Sequence, residues 1–511
     1  MKKVQTVFLI IVVVVLAVVG YFYYSLNYVQ ASPGIGGSKI LFPRWFTKEV
    51  TPTPTLLECV DSDGEDIYTK GNVGADFPSD AGYITYWDEC ISLDEVKEWV
   101  CEDNQAVALS IDCDFGCFDG ACAPPPWIQE QKLVASDAYG GDTLGSSAAM
   151  DGDVAILGAT GDDDLGDESG SAYIYRFDGV DWSEGQKLLA SDGAAGDKFG
   201  YSVSISGNVA VVGAYYDDDL GSNSGSAYVY RFNSTNWVEE QKLNAFDGEW
   251  NDQFGKSVSI SDDVILIGAS LASDTSNPRC GAAYVFRFNG SSWIQEKKLL
   301  ASDGTLFDSF GSAVFVSGNV AFIGAVADDD NELNSGSTYL FSFNGADWIE
   351  EQKLTASDGA QSEQFGWSVA VSDGVAVIGA NRDNDLGLDS GSAYVFRFDG
   401  VNWVEESKLL ASDGAAGDDF GSIVSISGNT TVIGAHLNGE LGWKAGATYV
   451  YRFDGLTWVE EQKLASEDIY PLDEFGSAVA IHDNKILVGT VGEDHYYMGT
   501  GAAYVFRASG E

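Results

Sequence analysis

The sequence predicts an all-β chain whose mass is mostly a seven-bladed β-propeller, and three observations predict it. Tryptophans recur at 127, 182, 237, 293, 348, 403 and 458, with spacings of 55, 55, 56, 55, 55 and 55 residues. Each of the seven units carries four strand-like segments and no helical periodicity. The array opens with a tryptophan strand that no blade precedes and stops at Ala503-Tyr504-Val505-Phe506 without one. The first strand therefore completes the last blade and closes a ring of four-stranded blades; a solenoid would instead need polar caps at its ends.

The four segments of a unit each have a physical reading. Trp237-Val-Glu-Glu-Gln-Lys-Leu243 is charged enough to guard an outer edge. Phe199-Gly200-Tyr201-Ser202-Val203-Ser204-Ile205 alternates small and apolar residues, and Val209 to Ala214 is a continuous apolar run. Ser226-Ala-Tyr-Val-Tyr-Arg-Phe232 puts three aromatics on one face and Ala and Val on the other. Strands apolar on both faces must be covered on both sides, as propeller blades are by their neighbours. Turns such as Asn289-Gly290 and Asp399-Gly400 suit tight hairpins back to the next tryptophan, and the seven tryptophans read as packing residues.

Upstream of the ring, the chain divides into 1–29, 30–55 and 56–123, with the propeller at 127–511. Lys2 and Lys3 precede an uncharged apolar run from Val7 to Tyr24, 18 residues, which reaches the lower limit for crossing a bilayer. The lysines place the N-terminus inside and the rest outside. An uncleaved anchor is favoured by the length of the run. Cleavage near Ala31, after Val29-Gln30, would make the chain secreted instead. Thr51-Pro52-Thr53-Pro54-Thr55 reads as a stiff stalk. Cys59, Cys90, Cys101, Cys113, Cys117 and Cys122 fall within 64 residues and read as a disulfide framework of unknown pairing, while Cys280 stands alone. Zinc is the rival reading of Cys113, Cys117 and Cys122, weakened by the lack of a nearby histidine. The module from Asp61-Ser62-Asp63-Gly64 to Cys122 resembles small modules of archaeal surface proteins.

Charge narrows the partners. With 27 basic and 78 acidic residues the formal net charge is −51, a field that repels nucleic acid. Such a surface suits cations, cationic partners or simple solubility. Asn233, Asn289 and Asn429 lie in N-x-Ser/Thr sequons.

Phe-Gly at 199, 254, 310, 365, 420 and 475, with Leu144-Gly145 in the first copy, is followed by Gly-Ala at 158, 213, 268, 324, 379 and 434 and Gly489-Thr490 in the last. This pairing resembles the FG-GAP repeat, which builds the propeller of integrin α subunits and many microbial surface proteins. The resemblance covers 127–511 and implies adhesion or ligand recognition through one face of the ring, often with calcium. The calcium loop of integrin-type blades does not carry over. The turn at its place is only Ser206-Gly207-Asn208 or Asp262-Asp263, too short to supply the oxygens calcium needs.

Acidic residues gather instead in the longer loops, which up-and-down strands place together on the other face. The candidate cation ligands there are Asp162, Asp163, Asp164, Asp217, Asp218, Asp219, Asp328, Asp329, Asp330, Asp383 and Asp385, with calcium as the candidate ion and solvated acidic turns as the default. An acid stands two residues before each Phe-Gly or its equivalent (Asp142, Asp197, Asp252, Asp308, Glu363, Asp418, Asp473), suited equally to accepting backbone N–H bonds. Tyr215, Tyr216, Trp250 and Trp443 in these loops could stack on a sugar or anchor a protein. Catalysis finds little footing: His436, His482 and His495 have no ligand spacing, and no Gly-x-Ser-x-Gly or phosphate loop occurs. The leading expectation is a non-enzymatic cell-surface adhesion or recognition protein, tethered by its N-terminal helix and binding an extracellular protein or glycan. A ligand-free envelope component and a polysaccharide-active enzyme are the alternatives.

Overall fold

The computed structural model describes residues 126–273, 279–493 and 499–509 in full, together with the backbone of short strands between Cys59 and Cys122. The segments expected to form an anchor and a stalk, and the side chains of the six clustered cysteines, lie outside the described residues. Upstream of the ring the backbone forms two antiparallel three-stranded sheets and a two-stranded ladder, Cys117–Phe118 with Ala121–Cys122.

From Trp127 the chain forms seven four-stranded antiparallel sheets. Blade one is Leu144–Asp151, Val154–Ala159, Ser171–Phe177 and Trp182–Leu188, from the central channel outward. Blades two to six repeat this order, starting at Ser202–Ser206, Phe254–Ser261, Phe310–Ser317, Ser368–Ser372 and Ile423–Ser427. Blade seven takes Ala478–His482, Lys485–Thr490 and Ala502–Ala508 from the end of the chain and Trp127–Leu133 from the start of the array. Trp127 lies opposite Ala508 and Leu133 opposite Ala503, so the ring closes as the ends of the array predict.

The core lies between blades. In blade two, Val209, Val211, Ala227 and Val229 pack toward blade three. Ala210, Val212, Tyr228 and Tyr230 pack toward blade one. That split is the consequence of strand alternation in a sheet covered on both faces. The interface between blades six and seven contains Trp127 beside Ile486, Tyr504 and Phe506, which makes the closing strand part of the core. The repeat tryptophans sit at the outer end of these interfaces, Trp182 packing on Phe177 with ring centroids 5.5 Å apart.

Polar stitches join neighbouring outer strands. Gln131 donates through Nε2 to the carbonyl of Trp182 (2.7 Å) and accepts the Trp182 N–H on Oε1 (2.8 Å). Gln186, Gln241 and Gln352 do the same for the next blade's tryptophan. Gln462 does so for Trp127 across the closure. Lys297 replaces this glutamine in blade three and pairs with Asp347 instead.

The two halves of the repeat motif touch each other. A Cβ on Gly213 would lie 2.0 Å from the carbonyl oxygen of Gly255 in the following blade, so only glycine fits. The Phe-Gly glycine carries the complementary constraint: Gly200 has φ +89°, turning the chain into the channel strand, and a Cβ there would meet the Ser171 carbonyl at 2.2 Å. The Phe-Gly pair is consequently not a regular part of the inner ladder. The register shifts between Phe254 and Ser257, and in blade two the ladder starts only at Ser202.

Candidate functional site

Counting outward from the channel, the loop between the second and third strands and the loop leading to the next blade lie on one face, as the strand count requires. Both loops are held by a repeated set of charges. The lysine of each outer strand reaches this face and is gripped by carboxylates from the two loops. Lys242 lies 2.8 Å from Asp192, 2.9 Å from Asp217 and 2.5 Å from Asp219. Lys187 makes the same three contacts to Asp137, Asp162 and Asp164 at 2.8, 2.7 and 2.7 Å. Lys408 makes them to Asp358, Asp383 and Asp385 at 2.8, 2.7 and 2.8 Å. Lys353 is held by Asp303, Asp328 and Asp330.

Each member of the acidic triplets thus has a task. The first carboxylate (Asp162, Asp217, Asp328 or Asp383) is buried, meets the lysine, and accepts a hydrogen bond from the hydroxyl of Tyr173, Tyr228, Tyr339 or Tyr394. The middle residue caps the loop: Asp163, Asp218, Asp329 and Asn384 accept the backbone N–H five residues on, at 2.7, 2.7, 2.7 and 2.9 Å. The third (Asp164, Asp219, Asp330 or Asp385) completes the grip on the lysine from a half-exposed position. A lysine ammonium therefore sits where the candidate calcium would have been bound. The geometry lends the triplets no support as calcium ligands, since an ion would have to displace that ammonium. Blades three, six and seven keep the lysine with fewer acids: Lys298 with Asp247, Lys463 with Asp413 and Glu440, Lys132 with Asp468 and Glu493.

Burial and pairing oppose each other at Asp192 and act together at Tyr228. Burial would raise the Asp192 carboxyl, but hydrogen bonds from Lys242 and Tyr228 hold it below its usual value. Burial pushes the Tyr228 hydroxyl up, with the Asp217 and Asp192 charges adding to it. The acids before Phe-Gly have backbone partners instead. All seven are hydrogen-bond acceptors for the backbone N–H three residues earlier, as in Asp142 from Tyr139 (2.6 Å) and Asp418 from Ala415 (2.9 Å). That is their structural reading. Burial dominates in blades one to three, and Asp142, Asp197 and Asp252 are pushed up to about 6.

The aromatic candidates separate. Trp250 and Trp443 are exposed at 60% and 69%, with Arg279 and Lys444 over their rings at 5.1 and 5.6 Å. Trp443 also borders a groove with Asp418, Asn438 and Glu440. Tyr215 and Tyr216 are half-buried and stack in series on Tyr201, with centroids 4.1 and 3.8 Å apart. These residues are spread around the ring and form no single platform. Of the histidines, His436 is half-buried against Ser422, with desolvation drawing its pKa down to about 4, and His495 lies outside the described residues.

Two features escaped sequence reasoning. One is the lysine ladder, although a lysine repeated in every copy of so acidic a chain was a usable signal. The other is the residue directly after each Phe-Gly, which rims the channel mouth: Ser146, Tyr201, Lys256, Ser312, Trp367, Ser422 and Ser477.

A comparison with curated proteins found no match. The family model for the FG-GAP repeat matches residues 127–175, 182–230, 237–286, 293–341, 348–396, 403–451 and 458–506. Each matched unit starts at the tryptophan strand, so it contributes the outer strand of one blade and the three inner strands of the next. With seven matched copies spanning most of the sequence and closing into seven blades, the chain belongs to the FG-GAP repeat family.

Proposed function

We propose that this protein is a cell-surface recognition or adhesion protein, displayed outside the membrane by its N-terminal apolar segment, that binds an extracellular protein or glycan through the loop face. One observation carries the reading: the copies share a nearly constant scaffold and differ where they are exposed on that face. At the position of Trp250 the other copies have Gly140, Ala195, Leu306, Gln361, Ala416 and Pro471. A constant frame with variable exposed loops is the arrangement of binding scaffolds. The isolated exposed tryptophans are suited to anchoring a partner. Binding rather than catalysis is the better reading because the buried carboxylates on this face are held by lysine and backbone groups.

The test is saturable binding of the full chain to whole cells and to a glycan panel, with calcium and with chelator. Trp250→Ala or Trp443→Ala is expected to weaken binding by about tenfold or more, typical of an aromatic anchor. Chelation is expected to leave binding unchanged, because the acidic triplets carry their own cation. Binding unaffected by either tryptophan, or absent altogether, would refute recognition through this face.

A further inference from the structure

The mouth of the central channel differs in charge from the rest of the molecule. The chain has 78 acidic residues, yet among the described residues lining this cavity of about 360 Å³ there is no carboxylate. Its charged group is Lys256, which follows the Phe-Gly of blade three. Unlike the seven outer-strand lysines, Lys256 makes no side-chain hydrogen bond or ion pair to any described residue, and burial pulls its pKa below the usual lysine value. A part-buried ammonium with no partner among the described residues is open to an anionic ligand.

Two aromatic rings share the cavity. Tyr201 in blade two and Trp367 in blade five are three blades apart, as far as a seven-membered ring allows, and are 38% and 40% exposed. Tyr201 is backed by Tyr215. Most serines around the wall are committed to the frame: Ser147, Ser202, Ser257 and Ser368 each donate to the Phe-Gly carbonyl of the next blade. The Ser146 hydroxyl is the exception, shielded from solvent and without a hydrogen-bond partner.

We infer that the channel mouth is a binding site for an acidic monosaccharide unit of the uronate type, with Lys256 meeting the carboxylate and Trp367 or Tyr201 the face of the ring. The volume falls in the range of small-ligand sites, roughly 300–1,000 Å³. The cation and the aromatic faces in one cavity match the carboxylate and the ring of such a sugar. A simple carboxylate would leave the aromatic faces unused, and a neutral sugar would leave the lysine unpaired. The inference rests on the loop face being the recognition side, and it names a ligand class for its centre.

The test is calorimetric titration of the full chain with glucuronate, glucose and acetate. Glucuronate is expected to saturate, with glucose and acetate weaker by about tenfold or more, the loss that follows deletion of a charge-assisted bond or of ring contacts. Lys256→Gln should abolish the preference for glucuronate over glucose, and Trp367→Ala should weaken glucuronate, both at unchanged melting temperature. Absence of saturation, equal affinity for glucose or acetate, or a Lys256→Gln chain that binds glucuronate as tightly as the parent would overturn the assignment. Whole-cell binding separates the two readings. If glucuronate fails while the exposed tryptophans still govern cell binding, the channel site falls and loop-face recognition stands.

Discussion

Replacing Lys242 with methionine tests the idea that the acidic face is held by internal lysines. The substitution keeps most of the aliphatic stem but removes an ammonium shared by three carboxylates. Asp192 and Asp219 have side chains 47% and 51% exposed, so each lost pair there is worth only about 0–1 kcal/mol. Asp217 is different, with its side chain 4% exposed. Removing one partner of a buried pair costs about 3–5 kcal/mol. Asp217 keeps hydrogen bonds from Ser226 and Tyr228, which favours the lower end, about 3 kcal/mol at neutral pH. The Asp192 carboxyl is held low in the folded state, so its contribution is present above the unfolded value of about 3.9 and fades as pH falls through the folded one. The penalty of Lys242→Met should therefore shrink in acid. Equilibrium urea denaturation at pH 7 and at about pH 3.5 measures both, and Asp217→Asn in the Lys242→Met background should recover most of the loss at pH 7. A Lys242→Met chain within about 0.5 kcal/mol of the parent at neutral pH would refute the reasoning, as would a penalty independent of pH.

Three further outcomes are expected. Chains lacking residues 1–125 should unfold cooperatively, whereas chains lacking 1–133 should lose cooperativity and aggregate, because Ala502–Ala508 becomes an unpaired edge; calorimetry and light scattering distinguish the two. Gly213→Ala should cost several times more than alanine at the open turn residue Gly207, since its Cβ would meet the Gly255 carbonyl at 2.0 Å, and denaturant midpoints compare them. The raised carboxyls of Asp142, Asp197 and Asp252 take up protons in the folded state as pH falls through about 6, so stability should rise on mild acidification; below about pH 4 protonation of the lowered carboxyls, Asp137, Asp192, Asp303 and Asp358 among them, should reverse it, giving a melting-temperature maximum near pH 5. A profile that declines steadily from pH 7 would contradict this assignment.

The architecture was legible in the sequence because its causes are local and repeated. The 55-residue period, the apolar run from Val209 to Ala214, and the spare tryptophan strand at Trp127 together require a closed ring whose blades cover one another. The face that bears the long loops followed from strand parity alone. The partners of individual charges were not legible, because they join residues far apart in the chain. Asp192 and Lys242 are 50 positions apart and meet only when the loop leaving one blade folds over the next. A run such as Asp217-Asp218-Asp219 looks like a cation site until the fold inserts a lysine from the outer strand beside it. The channel mouth depends still more on tertiary structure. Tyr201, Lys256 and Trp367 belong to three different blades, and only closure of the ring gathers single residues from separate copies around one cavity. Sequence periodicity thus determined the frame, whereas the charge pairing and the channel site were decided by which side chains the closed ring brings together.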